Sequence, residues 1–465
     1  MKVLLVNPPI PKFWYNNEYY LPSSMLYLAA SLREHGHTPQ ILDMKTLKKG
    51  KTLEKECAYE ESLCSAIRVF KPDLIGFGCL FSGNFPDVLR FATVCKKQFP
   101  CIPIVAGGIH FTIHAEKIME YCPVFDLIVL GEGERSFPQV VEALTAGGSV
   151  AVIDGVAWRD SGKVKINSKS YYIENPDEIP FPAYDLIKLQ DYFVDTSAWH
   201  NPKALPINTS IPIITSRSCP LRCTFCSMYT VMGPRWRSRS PENVVMEIEF
   251  LYRTYQHRHF SIMDDNFTLS KPRVLEICRL IRERGLNIQF ETPNGLNINS
   301  LDAEVMDALV EAGMVRVALA IESGSDYIRN TVMGKHLSRK KILDVVELTR
   351  KYSQLHVSAF FIIGMPEETK ETLEETYEMI KLIKVDKIQL MNIVPFPHTA
   401  VFYQSVRDGL LVDLDIEHLF LSSDLYFKNT GRFFIKPYHL ELKEIEAFRE
   451  RCIPLIAEQQ RKGKR

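Results

Sequence analysis

Two runs of short apolar strands alternating with amphipathic helices, one on each side of a stretch poor in helical pattern, constrain the fold of this chain more than any other feature. In the first run, Val3–Val6, Pro39–Leu42, Asp73–Phe77, Ile102–Val105 and Phe125–Val129 read as strands, with helical pattern between them, as over Ser23–His35. Such alternation with short loops predicts a doubly wound parallel sheet, covered on both faces, over residues 1–150. Ligands of such folds lie beyond the carboxyl ends of the strands. There the chain carries Asn7-Pro8-Pro9, Gly76-Phe77-Gly78, Gly107-Gly108-Ile109-His110 and Gly131-Glu132-Gly133-Glu134. Residues 151–205 break the rhythm and predict a connector, with Asp160-Ser161-Gly162 as a hairpin turn and Ile179–Ala183 extended. The second run places strands at Ile211–Thr215, Phe260–Met263, Asn287–Phe290, Val315–Leu319, His356–Ile363 and Lys387–Met391. Strands in that rhythm predict a partial (β/α)6 barrel over residues 206–400, with its chemistry at the C-terminal strand ends. Residues 401–465 read as a small mixed region rich in aromatic side chains.

Directly after the first barrel strand lies Arg217-Ser-Cys219-Pro-Leu-Arg-Cys223-Thr-Phe-Cys226, a C-x3-C-x2-C run. Thiolates are soft ligands that suit iron–sulfur clusters, and three of them hold three irons of a 4Fe-4S cluster, with no fourth cysteine at ferredoxin-like spacing. One iron is then left open for a substrate or cofactor. A structural zinc site wants four ligands, and no second Cys or His pair stands nearby. The other cysteines, Cys278 among them on a helix-like stretch, are unevenly scattered and follow no secretory signal, so a disulfide framework is not expected and a cytoplasmic location is.

At 465 residues the chain has room for two or three domains. Its 56 Lys and Arg balance 56 Asp and Glu, which argues against a protein built to wrap nucleic acid. No apolar stretch reaches the roughly 18 residues that a membrane span needs.

A C-x3-C-x2-C run after the first strand of a partial β/α barrel resembles the radical S-adenosyl-L-methionine (SAM) superfamily. In that family SAM chelates the open iron, and an electron from the cluster breaks a carbon–sulfur bond to make a deoxyadenosyl radical, which implies an external donor such as flavodoxin or ferredoxin. The cofactor carries the hard chemistry, and the protein orients and shields it. Asp264-Asp265-Asn266, ending the second strand, resembles the segment that holds the methionyl amine. Glu322, followed by Ser323 at the end of the fourth strand, is similar to the position that meets ribose and the methionyl end. Ile363-Gly364, within Phe361–Thr369, resembles the fifth-strand motif along the adenine, and Phe225 matches an aromatic position near it. Pro293-Asn294-Gly295 stands where the family more usually has an arginine-containing third-strand end.

The N-terminal half resembles the cobalamin-binding domain that precedes the barrel in one large subfamily. The matching residues are Asn7, Pro8, Gly107, Gly108, His110, Gly131, Glu132 and Glu134, with the glycines expected to let the backbone approach a corrin. No Asp-x-His-x-x-Gly follows the first strand, so cobalamin is expected to bind without a protein histidine on cobalt. The resemblance implies a cobalamin-dependent methyltransferase acting on an unactivated carbon of a small-molecule or natural-product substrate. A cyclase, rearrangement or oxidation catalyst on the same scaffold is the alternative. Nucleic-acid-modifying relatives carry an added basic module, for which the C-terminal remainder leaves little room. His398, in Pro395-Phe-Pro-His398 after the sixth strand, is the candidate catalytic or substrate-contacting residue. Arg235, Arg237 and Arg239 around Trp236 fit recognition of an acidic substrate, or ion pairs with carboxylates such as Glu242.

Overall fold

Lys2–Asn7 (β1) buries Val3, Leu4, Leu5 and Val6 almost completely, so it is apolar on both faces, as a strand between two helical layers must be. It belongs to the first of two compact units in the computed structural model, which describes residues 1–9, 20–48, 57–421 and 431–462. That unit comprises Met1–Val194, Val231–Gly233 and Asp415–Phe427. Its other strands are Thr38–Asp43 (β2), Leu74–Gly78 (β3), Ile104–Gly107 (β4), Leu127–Val129 (β5), Val156–Asp160 (β6) and Lys163–Asn167 (β7). The sheet order is β2-β1-β3-β4-β5-β6-β7, with β1 to β5 mutually parallel and β6 and β7 added antiparallel. From β1 the chain moves to one side for β2 and to the other for β3, so the topological switch point, and hence the expected ligand crevice, lies at the ends of β1 and β3. Alternate residues of β1 feed opposite cores. Leu4 and Val6 join Phe77, Phe85, Phe91 and Phe111, while Val3 and Leu5 join Met25, Ala29, Phe137 and Val140.

The β6–β7 turn has positive φ at both Ser161 and Gly162, the geometry of a tight hairpin. Residues 151–194, expected as part of a connector, therefore extend this sheet and pack within the first unit, because Val156 and Ala157 are fully buried against it. Phe420, from the region beyond the barrel, also fills this unit's core.

The second unit comprises Asp195–Thr230, Pro234–Leu414 and Lys428–Arg465. Its strands are Ile211–Ile213 (β8), Ser216–Arg217 (β9), Arg237–Ser238 (β10), His259–Ile262 (β11), Gln289–Leu296 (β12), Met314–Glu322 (β13), His356–Ile363 (β14) and Lys387–Asn392 (β15). Six of them form a parallel sheet in the order β15-β14-β13-β12-β11-β8, the open sequence of a partial barrel. Short β9 and β10 pair antiparallel and close the base of the loop that carries the three cysteines. The helix Leu442–Lys462 lies against β15, where Arg449 donates to Asn392 Oδ1 at 2.7 Å, and so covers the sheet's edge. No helix among the described residues is long and apolar enough to cross a membrane.

Candidate active site

The cysteine loop is held from several strand ends. Ser218 N–H donates to Asp265 Oδ2 at 3.0 Å, Thr224 N–H to the Met333 carbonyl at 3.1 Å, and Thr224 Oγ1 to the Val332 carbonyl at 2.9 Å. Cys223 is buried, and Cys219 and Cys226 are half-buried. Burial pushes the Cys226 thiol up to about 12, with Cys223, Asp265 and Cys219 adding to the effect, while burial raises Cys223 despite the nearby Lys335. The three thiols thus lie within electrostatic reach of one another. A cluster takes each of the three thiolates on a separate iron. Cys278 lies buried in the helix Lys271–Glu283.

At the end of β11 the structure separates the roles of three adjacent residues. Asp264 is buried, and its carboxylate accepts from Thr215 N and Thr215 Oγ1 at 2.6 Å and from Ser216 Oγ at 2.5 Å. Both oxygens thereby fix the start of the cysteine loop. Burial and the neighbouring Asp264 push Asp265 up to about 6. Asn266 donates through Nδ2 to Cys219 Sγ at 3.4 Å, and its buried Oδ1 has no partner among the described residues. An acceptor without a donor beside a cluster ligand suits an incoming ammonium group.

Glu322 ends β13 with φ of 69°, a left-handed backbone that a non-glycine residue rarely adopts, and is buried with Lys335 Nζ 2.6 Å from its Oε1. Burial disfavours the Lys335 ammonium, but Glu322 and the Cys223 thiol outweigh it and hold the pKa above the ordinary lysine value. Ser323 is buried and turned to its own fold: its hydroxyl lies 3.2 Å from Thr376 Oγ1, and its carbonyl accepts from Arg329 at 2.7 Å. Phe225 packs on the core cluster that contains Ile362 and Met365. Ile363 is fully buried, and Gly364, at φ 92°, donates its N–H to Glu368 Oε2 at 2.6 Å. His398 is exposed, with Nδ1 2.8 Å from the Tyr403 hydroxyl. Asn294 of the third-strand end donates to the Met263 carbonyl at 2.9 Å. Arg239 is buried and bonded to Asn243 and Glu247, so it serves the fold rather than an acidic substrate.

In the first unit Asn7 donates to Asp43 Oδ1 at 2.9 Å, and Asp43 Oδ2 accepts from the buried Tyr192 hydroxyl at 2.6 Å. Pro8 is buried. Gly107 and Gly108 are half-buried at the end of β4, and a Cβ on Gly108 would lie 2.6 Å from the Cys79 carbonyl oxygen. Gly131 is half-buried too, with the Val231 carbonyl and the Lys169 side chain close to where its Cβ would be. These two glycines are therefore needed for the protein's own packing as well as for a left-handed turn. Glu132 is buried and accepts from Ile173 N–H at 3.0 Å, its carbonyl accepts from Lys169 Nζ at 2.9 Å, and Glu134 is half-buried. His110 is fully buried: Nε2 lies 3.0 Å from the Phe420 carbonyl and Nδ1 2.7 Å from Ser82 Oγ. A carbonyl only accepts, so Nε2 carries the proton and Nδ1 accepts from Ser82. Both ring nitrogens are engaged within the first unit.

Sequence reasoning missed Lys335, Arg329, Lys169 and Tyr192, because an isolated lysine, arginine or tyrosine in a loop carries no spacing signal. The Arg329 guanidinium, fully buried within the π-helical Tyr327–Val332, reaches the Leu337 carbonyl at 2.7 Å as well as Ser323.

Residues 213–380 match the family model of the radical SAM superfamily, and residues 18–141 match that of the B12 binding domain. An uncharacterized methyltransferase of Pyrococcus horikoshii is 31% identical over 417 residues, which cover 89% of this chain and 85% of that protein. The cytidylyl-2-hydroxyethylphosphonate methyltransferase of Streptomyces wedmorensis is 27% identical, covering 88% of this chain and 82% of its own. Among solved structures, the radical SAM methyltransferase TsrM of Kitasatospora setae, with cobalamin and a 4Fe-4S cluster bound, superposes with a TM-score of 0.71 at 18% identity, covering 88% of this chain and 78% of that one. The fold, the cysteine loop and a relative this similar over most of both chains lead to one conclusion: the chain is an enzyme of the radical SAM superfamily, in the group that carries a B12 binding domain ahead of the radical domain.

Proposed function

We propose that this enzyme holds a 4Fe-4S cluster on Cys219, Cys223 and Cys226, binds SAM and cobalamin, and transfers a methyl group to an unactivated carbon of a small-molecule or natural-product substrate. The cysteine loop carries this reading: three thiols within electrostatic reach of one another are held by Asp265 after β11 and by the Val332 and Met333 carbonyls at the end of the π-helical segment Tyr327–Val332, beside the spare acceptor of Asn266. When bound, these groups supply one-electron cleavage of SAM to a hydrogen-abstracting radical, and a methyl donor. The residues present fit them. Asn266 Oδ1 offers an acceptor to the methionyl ammonium, and Glu322 sits at the end of β13 with its charge balanced by Lys335. In the first unit the half-buried backbone at Gly107, Gly108 and Gly131 suits a large planar group, and both ring nitrogens of His110 are engaged within the fold. An external one-electron donor completes the system. The Streptomyces relative, named for a small phosphonate, supports a small-molecule substrate.

The test is anaerobic reconstitution with iron, sulfide and cobalamin, followed by reaction with methyl-labelled SAM, a reductant and a fractionated metabolite extract. Both 5′-deoxyadenosine and S-adenosylhomocysteine should accumulate and label should enter a small molecule, with all three lost in Cys223→Ala. Deoxyadenosine without S-adenosylhomocysteine or labelled product would remove methyl transfer and leave a radical cyclase, rearrangement or oxidation. Absence of deoxyadenosine from a cluster-loaded protein would remove the radical reaction itself.

A further inference from the structure

Ten non-glycine residues among those described have positive φ, and five of them, Ser218, Arg222, Glu322, His336 and His398, lie at the end of a strand of the second unit or in a segment that follows one. Such backbone is strained and persists where the surroundings enforce it, commonly at functional sites. Ser218 and Glu322 are buried and tied to the cysteine loop or to Lys335. Arg222 and His398 are exposed, so core packing does not require their side chains. At φ 67°, a glycine in place of His398 would relieve the strain. The histidine is instead held against Tyr403, with Nδ1 2.8 Å from the hydroxyl and the rings edge-on at 6.2 Å between centroids.

That segment is bonded to the cysteine loop. Thr399 caps the helix Ala400–Arg407, and Val401 N–H, in the helix's first turn, donates to the carbonyl of Thr224 at 3.1 Å, between Cys223 and Cys226. Arg222 precedes Cys223 directly and is exposed, while Tyr229 follows Cys226 on the short helix Met228–Met232. A guanidinium fork, two phenols and an imidazole therefore border the cysteine loop. Guanidinium binds carboxylate and phosphate oxygens in a bidentate, charge-assisted manner, and the hydroxyls and ring N–H add neutral donors.

We propose that Arg222, Tyr229, His398 and Tyr403 form an anion-binding rim beside the cysteine loop, and that the substrate is anchored there by an acidic group, a carboxylate or a phosphate or phosphonate. This deepens the proposed function and rests on it for the identification of the anion as part of the substrate. His398 and Arg222 are specificity residues here, holding the acidic group while the carbon to be attacked lies elsewhere on the molecule.

Anion binding to the full-length, cluster-reconstituted protein is measured without reductant, by 31P NMR line broadening of methylphosphonate and 13C line broadening of acetate, with dimethyl sulfone as the neutral control. Broadening of one or both anions and not of the sulfone is expected, with affinity falling roughly fivefold or more in Arg222→Gln and in His398→Gly, as for loss of a charge-assisted contact. Stronger binding of methylphosphonate would assign a phosphate or phosphonate, and stronger binding of acetate a carboxylate. His398→Gly relieves the left-handed backbone, and circular dichroism checks that the variant is folded. Unchanged affinity in both variants, or no broadening of either anion, overturns the rim. Because no turnover is involved, that failure is distinct from failure of the radical reaction, which deoxyadenosine reports.

Discussion

Two buried carboxylates at strand ends of the second unit show how position decides what an acidic side chain does. Asp264 receives three hydrogen bonds from Thr215 and Ser216 and so anchors a loop. Glu368 accepts from Gly364 and Met365 N–H through Oε2, but its Oε1 is buried without a partner, and burial pushes its pKa up to about 7. The native state thus keeps this proton to a higher pH than the unfolded chain, whose carboxyl titrates at its ordinary value of 4.5. Its stabilising contribution is full below that value and is lost as pH rises to about 7, a swing on the order of 3 kcal/mol. Glu368→Gln should remove the swing, and thermal unfolding of the two proteins across this range should show wild type losing stability relative to the variant as pH rises. A constant difference would refute it. At this scale the three cysteines were legible, because ligand type and spacing are written locally. The partners of Asp264 and the spare oxygen of Asn266 were not, since each depends on which groups another strand end brings within about 3 Å.

The end of β13 illustrates the element scale. Its nine residues are nearly all buried, and the strand stops where Glu322 takes a left-handed backbone and the register with β14 shifts. Gly324 then passes the helix Lys370–Leu382 so closely that a Cβ would lie 2.3 Å from the Glu375 carbonyl oxygen. Arg329 draws the return of the loop back onto Ser323, and Lys335 closes on Glu322. Gly324→Ala should therefore displace the strand end, costing about 2–3 kcal/mol by overpacking and lowering deoxyadenosine formation more than tenfold through Glu322. Wild-type melting with normal turnover in that variant would show that the strand end tolerates the methyl group. The strands themselves were legible from their apolar runs, and the hairpin at Ser161-Gly162 from its turn residues. That the hairpin joins the first sheet, rather than linking two domains, follows from the burial of Val156 and Ala157, which no local pattern announces.

For the whole molecule, the chain does not divide at the boundaries its composition suggests. The first unit draws on residues 231–233 and 415–421 as well as on the first 194, and Phe420 supplies a buried ring to its core, 5.4 Å from Tyr121. Phe420→Ala should cost about 3–5 kcal/mol of the first unit's stability. Calorimetry should show a lowered transition, while iron content on Cys219, Cys223 and Cys226 stays at the wild-type level. Unchanged melting would mean that residue 420 is not part of that core in solution. The sequence by itself determined the two β/α units, the cysteine donors and the family, because hydrophobic period, ligand chemistry and motif order are carried by neighbouring residues. Only the tertiary structure decided that both ring nitrogens of His110 are engaged, that Lys335 balances Glu322 and that Asp43 meets Tyr192. Those outcomes rest on burial and on hydrogen bonds across 310, 13 and 149 residues of chain, brought together by the packing of the whole.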